Sequence, residues 1–295
     1  MKTVATVLVT FNRLKLLQEA ISHIRNQTRK ADKIIVINNG STDNTLSWLE
    51  SQNDLHVITQ ENVGGAGGFH RGMQEAYNLG YDYIWIMDDD VFADKDCLFH
   101  MLNANKPITV PVRIANTKIK SFKDLPPIKY DLKNPFRVET RIEINEYLKI
   151  KSFDELPQEL PVEVLYFEGP LISREVIEMV GLPEKKLFIY HDDTEFALRC
   201  NRKFKIPIVL IRDAVLYRQI EEKDEINWKV YYKFRNKSYI HIKYCDNILV
   251  KLKPLALFLS SVVKDLLKFK HDSEKQKYRF WAVVDAYNSN YFKRF

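Results

Sequence analysis

Four short apolar runs constrain this chain more than any other feature: VATVLVT (Val4–Thr10), KIIVIN (Lys33–Asn38), LHVIT (Leu55–Thr59) and YIWIM (Tyr83–Met87). All are rich in β-branched or aromatic side chains and read as strands. Between them lie stretches with helical periodicity: Phe11-Asn12-Arg13 leading to about Asn26, then Asn44–Ser51, then a helix that follows the glycines and runs to about Leu79. Strands alternating with helices of this length imply right-handed βαβ units and a parallel sheet. Ligands bind such sheets beyond the carboxyl ends of the strands. The turn Asn39-Gly40-Ser41-Thr42-Asp43, the glycine loop Glu61–Gly68 and the triplet Asp88-Asp89-Asp90 each follow a strand, so all three are expected to face one crevice.

The second half is less regular. Seven prolines lie between residues 103 and 161, where one more strand is predicted near Ile108–Val112, followed by a long loop or small insertion. Val162–Phe167 reads as a strand, Ser173–Val180 as a helix, Thr194–Lys203 as a helix with Asp192 and Asp193 at its mouth, and Pro207–Ile211 as a last strand. Beyond Ile226 the pattern is helical and aromatic-rich. The expected class is therefore α/β, with a mostly parallel central sheet flanked by helices and a C-terminal helical extension. With 295 residues and 45% hydrophobic side chains, the chain suits one large domain plus an appendage. The expected division is 1–225 (halves 1–102 and 103–225) and 226–295. Three widely spaced cysteines, Cys97, Cys200 and Cys245, make no metal-type pattern and fit a reducing, cytoplasmic setting. The N-terminal run reads as a strand rather than a signal peptide.

Three adjacent carboxylates at a strand end repel one another, so a positive group is expected there. Asp88 and Asp90, two apart, suit a hard cation with oxygen ligands, Mn²⁺ or Mg²⁺. The alternative is an acidic turn in which one Asp caps a helix. Glycines among Glu61–Gly68 let backbone amides approach a phosphate or ribose, although a packing loop explains them equally well.

Taken in order, VATVLVTFNRLKLLQEAISHIRNQT, IIVINNGSTDNT, ENVGGAGGFHRGM, YIWIMDDD and FIYHDDTEFALR resemble the family 2 inverting glycosyltransferases of GT-A fold, nearest to the galactofuranosyltransferase and rhamnosyltransferase branch. The resemblance spans roughly residues 3–220. It implies that Thr10, Asn12, Arg13 and Asn39 hold the base and ribose of a donor nucleotide, and that Gly64, Gly65 and Gly68 lie beside its ribose and diphosphate. Asp88 and Asp90 match the metal ligands, with Asp89 behind them or on the donor sugar. Gly169 and Pro170, in FEGPLISRE, match the acceptor side. In His191-Asp192-Asp193, Asp193 matches the catalytic base, with Asp192 and His191 toward the acceptor; the alternative is that both carboxylates merely cap the following helix. Where relatives carry a metal-binding His, this chain has Arg218, which cannot ligate a cation but can grip a diphosphate.

The implied partners are a UDP- or dTDP-linked sugar and a glycan acceptor, expected to be lipid-linked. Charge adds a further hint. Residues 1–225 hold 30 Lys and Arg against 34 Asp and Glu, whereas 226–295 hold 15 against 5. A basic tail with apolar residues at helical spacing over 251–270 (Lys251, Lys253, Lys264, Lys268, Lys270) fits an anionic membrane surface, hence a peripheral place on the inner face of the cell membrane. The alternative is packing on the body or on a second copy of the chain. Tyr231, Tyr232, Phe234 and Arg235 could stack on RNA bases, but aromatic residues at helical spacing are core residues, and no nucleic acid is expected. Two rival readings stand beside transfer: a sugar-phosphate nucleotidyltransferase, disfavoured because TFNR replaces a basic glycine loop after the first strand, and a non-catalytic carbohydrate-binding relative.

Overall fold

The computed structural model describes residues 2–115, 121–137, 139–219, 227–245, 247–267 and 273–291. Strands β1 (Val4–Thr10), β2 (Lys33–Asn38), β3 (Leu55–Thr59) and β4 (Tyr83–Asp88) form a parallel block in the order β3-β2-β1-β4. Helices α1 (Leu14–Arg25), α2 (Thr45–Glu50) and α3 (Gly64–Asn78) connect them. Helix α1 buries Leu17, Ala20, Ile21 and Ile24, one stripe at helical spacing, against the sheet. Register places Thr10 opposite Asn38 and Val9 opposite Asp88, so the polar segments after β1, β2 and β4 emerge at one level. All four strands match the sequence expectation.

The sheet continues through β10 (Leu171–Ser173), β6 (Ile108–Ala115) and β11 (Ile208–Arg218), with β5 (Val91–Ala93) and β9 (Glu159–Val162) both on β11. Strands β6 and β11 are parallel, while β10, β5 and β9 run antiparallel to their neighbours. The sheet is thus mostly, not wholly, parallel. Several boundaries differ from expectation. The strand placed at Val162–Phe167 is β9 and ends at Val162. The last strand runs on to Arg218 through a register shift between Ile211 and Val215. The glycine run is not a free loop: α3 starts at Gly64, so the glycines occupy its first turns. A Cβ on Gly68 would lie 2.5 Å from Val9 Cγ1, and one on Gly72 2.3 Å from Val7 Cγ1, so these glycines let α3 lie close on β1.

The remaining elements are α4 (Cys97–Asn103), the two-stranded pair β7 (Lys129–Tyr130) and β8 (Arg141–Ile142), α5 (Ile144–Leu148), α6 (Arg174–Val180) and α7 (Asp192–Leu198), which runs into a π-helical turn at Arg199–Lys203. At the C-terminus lie α8 (Asn227–Tyr244), α9 (Ile248–Leu267) and α10 (Ser273–Tyr287). Tyr231, Tyr232 and Arg235 are fully buried, and Tyr231 and Tyr232 pack with Phe188, Trp228 and Ala282, so this aromatic run is core. The three cysteines are buried free thiols. Among the described residues no helix is long and apolar enough to cross a membrane. Lys268 and Lys270 lie outside the described residues.

Candidate active site

Strand β4 delivers Asp88 to the rim, and the chain turns through Asp89 and Asp90 before returning as β5. The Thr10 hydroxyl donates to Asp89 Oδ2 at 2.7 Å. Arg13 Nη1 bridges Asp89 Oδ1 (2.9 Å) and Asp90 Oδ2 (3.0 Å). Asn12, at a left-handed φ of 53°, joins the β1 and β2 loops: its amide donates to Ser41 Oγ (3.0 Å), and its Oδ1 accepts from the Thr42 amide (2.7 Å). Asn39 is buried; its Nδ2 donates to the Gly64 carbonyl at 3.1 Å and its Oδ1 accepts from Gln60 Nε2 at 2.9 Å. Thr10, Arg13, Asp88, Asp89 and Asp90 therefore converge, while Asn12 and Asn39 knit the adjoining loops together.

Burial pushes the Asp88 carboxyl well above its ordinary range, and Asp90, Glu168 and Asp89 push it further against the pull of Arg13. Burial also raises Asp90, where Arg13 and Arg218 oppose the effect and Glu168 adds to it. Asp89 is raised by burial despite Arg13 and Thr10. The cluster is short of positive charge.

Glu168 is a carboxylate that sequence reasoning passed over. Its two C-terminal neighbours fix its aim. Gly169 donates its amide to the Ile86 carbonyl (2.8 Å), Ile86 donates to the Pro170 carbonyl (3.0 Å), and Trp85 Nε1 donates to the Gly169 carbonyl (3.0 Å). Gly169 sits at φ 95°, and a Cβ there would meet Leu216 Cδ1 at 2.2 Å. Gly169 and Pro170, expected to face an acceptor, are both buried and pinned to β4. Glu168 pairs with Arg113 from β6, and its Oε2 lies 3.3 Å from Arg218 Nε at the end of β11. Only a lone acid inside an apolar loop marked it in the sequence.

The second acid cluster opens α7. Phe188, Tyr190 and His191 all adopt left-handed backbone, with φ of 67°, 66° and 62°. Such conformations disfavour non-glycine residues and persist only where surroundings enforce them. The enforcement comes from α8: Asn236 Nδ2 donates to the carbonyls of Leu187 (2.9 Å), Ile189 (2.8 Å) and Tyr190 (2.8 Å), and Arg235 Nη2 donates to that of Leu187 (3.0 Å). On its other side the loop touches the start of α3. Ala66 donates its amide to the Phe188 carbonyl (3.1 Å), and a Cβ on Gly64 would lie 2.0 Å from that oxygen. Gly64, at φ 76°, thus seats the acidic loop beside the glycine run. Of Gly64, Gly65 and Gly68, only Gly65 is half-exposed, and a Cβ there would meet nothing closer than Phe69 Cε2 at 4.0 Å.

Asp192 is buried and Asp193 half-buried. Burial raises both carboxyls, Asp192 to about 8 with Asp193 adding to the effect, and Asp193 to about 6. Bonds from the Thr194 amide (2.5 Å) and hydroxyl (3.1 Å) to Asp193 Oδ1 hold Asp193 the lower of the two. Glu168 raises Asp193 and Arg113 opposes it. Glu168 thus bears electrostatically on Asp88, Asp90 and Asp193 alike. Burial and the nearby Lys237 and Lys233 push the His191 imidazole down to about 3, leaving it neutral and a poor base. Behind the site, Glu195 Oε1 accepts from Lys243 Nζ and from the Tyr244 hydroxyl, both at 2.7 Å, tying α7 to α8.

Comparison with known proteins agrees with this architecture. Residues 6–143 match the model of "Glycosyl transferase family 2". Among curated proteins, the chain is 28% identical over 211 residues to galactofuranosyltransferase GlfT1 of Mycolicibacterium smegmatis, covering 68% of this chain and 66% of that protein. It is 28% identical over 230 residues to galactofuranosyltransferase GlfT2 of the same organism, covering 72% and 35%. The matches thus span less than two thirds of these relatives' own length. Among solved structures, GalNAc-T7 with UDP, GalNAc and Mn²⁺ superposes with a TM-score of 0.66 at 13% identity, covering 97% of this chain and 56% of that one. Staphylococcus aureus TarS 1–349 with UDP-GlcNAc gives 0.56 at 13% identity, covering 96% and 81%. These structural likenesses establish the shared GT-A fold.

Proposed function

We propose that this chain, whose residues 6–143 match the model of glycosyl transferase family 2, moves a sugar from a nucleotide-diphosphate donor to a glycan hydroxyl with inversion. The observation that carries the reading is Glu168, one carboxylate in electrostatic reach of both the Asp88–Asp90 cluster and Asp193. Inversion needs a leaving-group site and a base on opposite sides of one anomeric carbon, and two acid clusters around one region supply that arrangement.

In the proposed reaction the acceptor oxygen forms a bond to the anomeric carbon while the bond to the diphosphate oxygen breaks. The diphosphate leaves with the electron pair, and the hydroxyl proton passes to Asp193. Asp193 suits this role because it is the member of the acidic pair that ionises first as pH rises. Asp192, protonated at neutral pH, is a hydrogen-bond donor to the acceptor. Thr10 and Arg13 orient Asp89 and Asp90, and Gly65 offers open backbone beside the donor.

A divalent cation, Mn²⁺ or Mg²⁺, fits the cluster, since burial and mutual repulsion leave Asp88 and Asp90 short of positive charge. Among the described residues no group of three or more His, Cys, Asp or Glu side chains is arranged to hold a metal. Asp88 and Asp90 would be the protein's two ligands to such an ion, with phosphate oxygens and water as the remaining oxygen donors. The ion would offset charge developing on the leaving diphosphate. Arg218, beside Asp90 and Glu168, takes over part of that task by contacting the diphosphate.

The GlfT1 and GlfT2 likenesses favour a galactofuranosyl donor; dTDP-rhamnose is the second donor to try. A lipid-linked acceptor fits the exposed apolar stripe on α9 that includes Leu252, Leu255 and Leu259. A thermal-shift panel of nucleotide sugars with and without Mn²⁺ tests the reading, because a ligand of the folded state raises its stability. Stabilisation by a UDP- or dTDP-sugar supports it, and indifference to every member argues against it.

A further inference from the structure

The insertion between β6 and β9 carries an open cavity of about 600 Å³, within the range of about 300–1,000 Å³ typical of small-molecule sites. Phe122 and Phe153 line it, their ring centroids 4.7 Å apart, together with Glu143, Asn145, Lys123 and Lys151. Among the described residues, Glu143 Oε2 at the cavity wall is buried without a hydrogen-bond partner, as are Arg141 Nε and the Tyr166 hydroxyl. Buried polar atoms are almost always paired, so unpaired ones point to a ligand or water.

The cavity is wired to the proposed reaction centre. Arg113 donates from Nε to the Asp124 carbonyl at 2.8 Å, at the insertion's first turn, while its Nη1 pairs with Glu168. Its guanidinium lies 3.9 Å from the Tyr166 ring centre, and that of Arg141, which pairs with Glu143 at 3.3 Å, lies 5.7 Å away. Burial pushes the Tyr166 hydroxyl up to about 12, with Arg141 and Arg113 opposing and Asp193 and Glu143 adding to it. Tyr166 is therefore flanked by Arg113, which pairs with Glu168, and by Arg141, which pairs with Glu143 of the cavity wall.

We propose that this cavity is a subsite for the acceptor, taking a neutral saccharide unit that neighbours the sugar whose hydroxyl reacts at Asp193. The proposal rests on the glycosyl-transfer reading and adds where the acceptor binds. Phenyl rings suit the C–H face of a pyranose or furanose ring. Carboxylate, amide and hydroxyl groups suit its hydroxyls. Two lysines facing acidic neighbours give the wall little net charge, which disfavours a phosphate.

Saturation-transfer NMR on the full chain, with octyl galactofuranosyl and octyl rhamnosyl disaccharides as probes, tests this. A signal from at least one probe is expected, with affinity about fivefold or more weaker in Glu143→Gln and in Asn145→Ala. Stabilisation by UDP, measured in parallel, is expected to stay unchanged in both. No signal from either probe, or signals equal in wild type and both variants, overturns the subsite. Loss of the UDP response in the wild type would strike the transfer reading instead.

Discussion

Asn236 Nδ2 lies 2.8 Å from the carbonyl oxygen of Tyr190, within the loop that presents Asp192 and Asp193. One side-chain amide on α8 thereby holds three carbonyls of a loop whose backbone is left-handed at three non-glycine positions. The C-terminal helices are thus part of the scaffold of the proposed catalytic loop. Asn236→Ala removes the bonds to the half-buried Ile189 and Tyr190 carbonyls and leaves that of Leu187 to Arg235, a cost of about 0.5–1.5 kcal/mol per bond lost. The expected outcome is a lower urea midpoint and a transfer rate that falls further than nucleotide affinity does. Unchanged rate and midpoint would show that the loop holds its shape without this clamp.

The pH profile carries a defined sign. A base must be ionised to accept a proton, and Asp193 is raised by burial to about 6. Transfer is therefore expected to fall about tenfold per pH unit below 6, rather than below the ordinary carboxylate value near 4. The Thr194 hydroxyl holds the pKa down through its bond to Asp193 Oδ1, so Thr194→Val is expected to move the acid limb upward. An acid limb near pH 4 in both proteins would contradict the assignment.

Arg218 and the cation are expected to share one electrostatic task. Chelation should lower the transfer rate without abolishing it, and Arg218→Ala should make the residual rate collapse in chelator while Mn²⁺ partly restores it. Complete loss with chelator alone, together with a harmless Arg218→Ala, would refute the sharing.

The face of α9 makes a separate claim. Ile248, Leu252, Leu255, Leu259, Val263 and Leu266 recur at spacings of three and four and are all exposed. The basic balance of residues 226–295 disfavours a second copy of the same charge and favours anionic lipid. Co-sedimentation with phosphatidylglycerol vesicles, but not with phosphatidylcholine, is expected, and Leu255→Glu with Leu259→Glu should abolish it. Equal binding to both lipids, or binding indifferent to the double variant, would refute a lipid-facing helix.

The first four strands were legible because parallel strands packed between helices need runs of apolar residues, which VATVLVT, KIIVIN and YIWIM supply. Strand β10 was not, since three residues running antiparallel between β4 and β6 carry no periodicity of their own. The run Val162–Phe167 misled for a related reason: Val164, Leu165 and Phe167 are buried, but in irregular chain that feeds Glu168 to the rim. The glycines pointed to close approach correctly, yet at Gly68 the approaching partner is Val9. Asn236 was invisible because a buried amide in an aromatic helix looks like any polar residue until the loop it clamps is known.

Asp193 is proposed to take the acceptor's proton in a region shared with the donor's diphosphate site, and Asp193→Asn is the decisive variant. Transfer from the best donor of the panel and affinity for its nucleotide would be measured on the same preparation. A fall in kcat of about 10²–10⁴ is expected, with nucleotide affinity essentially unchanged. A variant that still transfers sugar at the wild-type rate would contradict it.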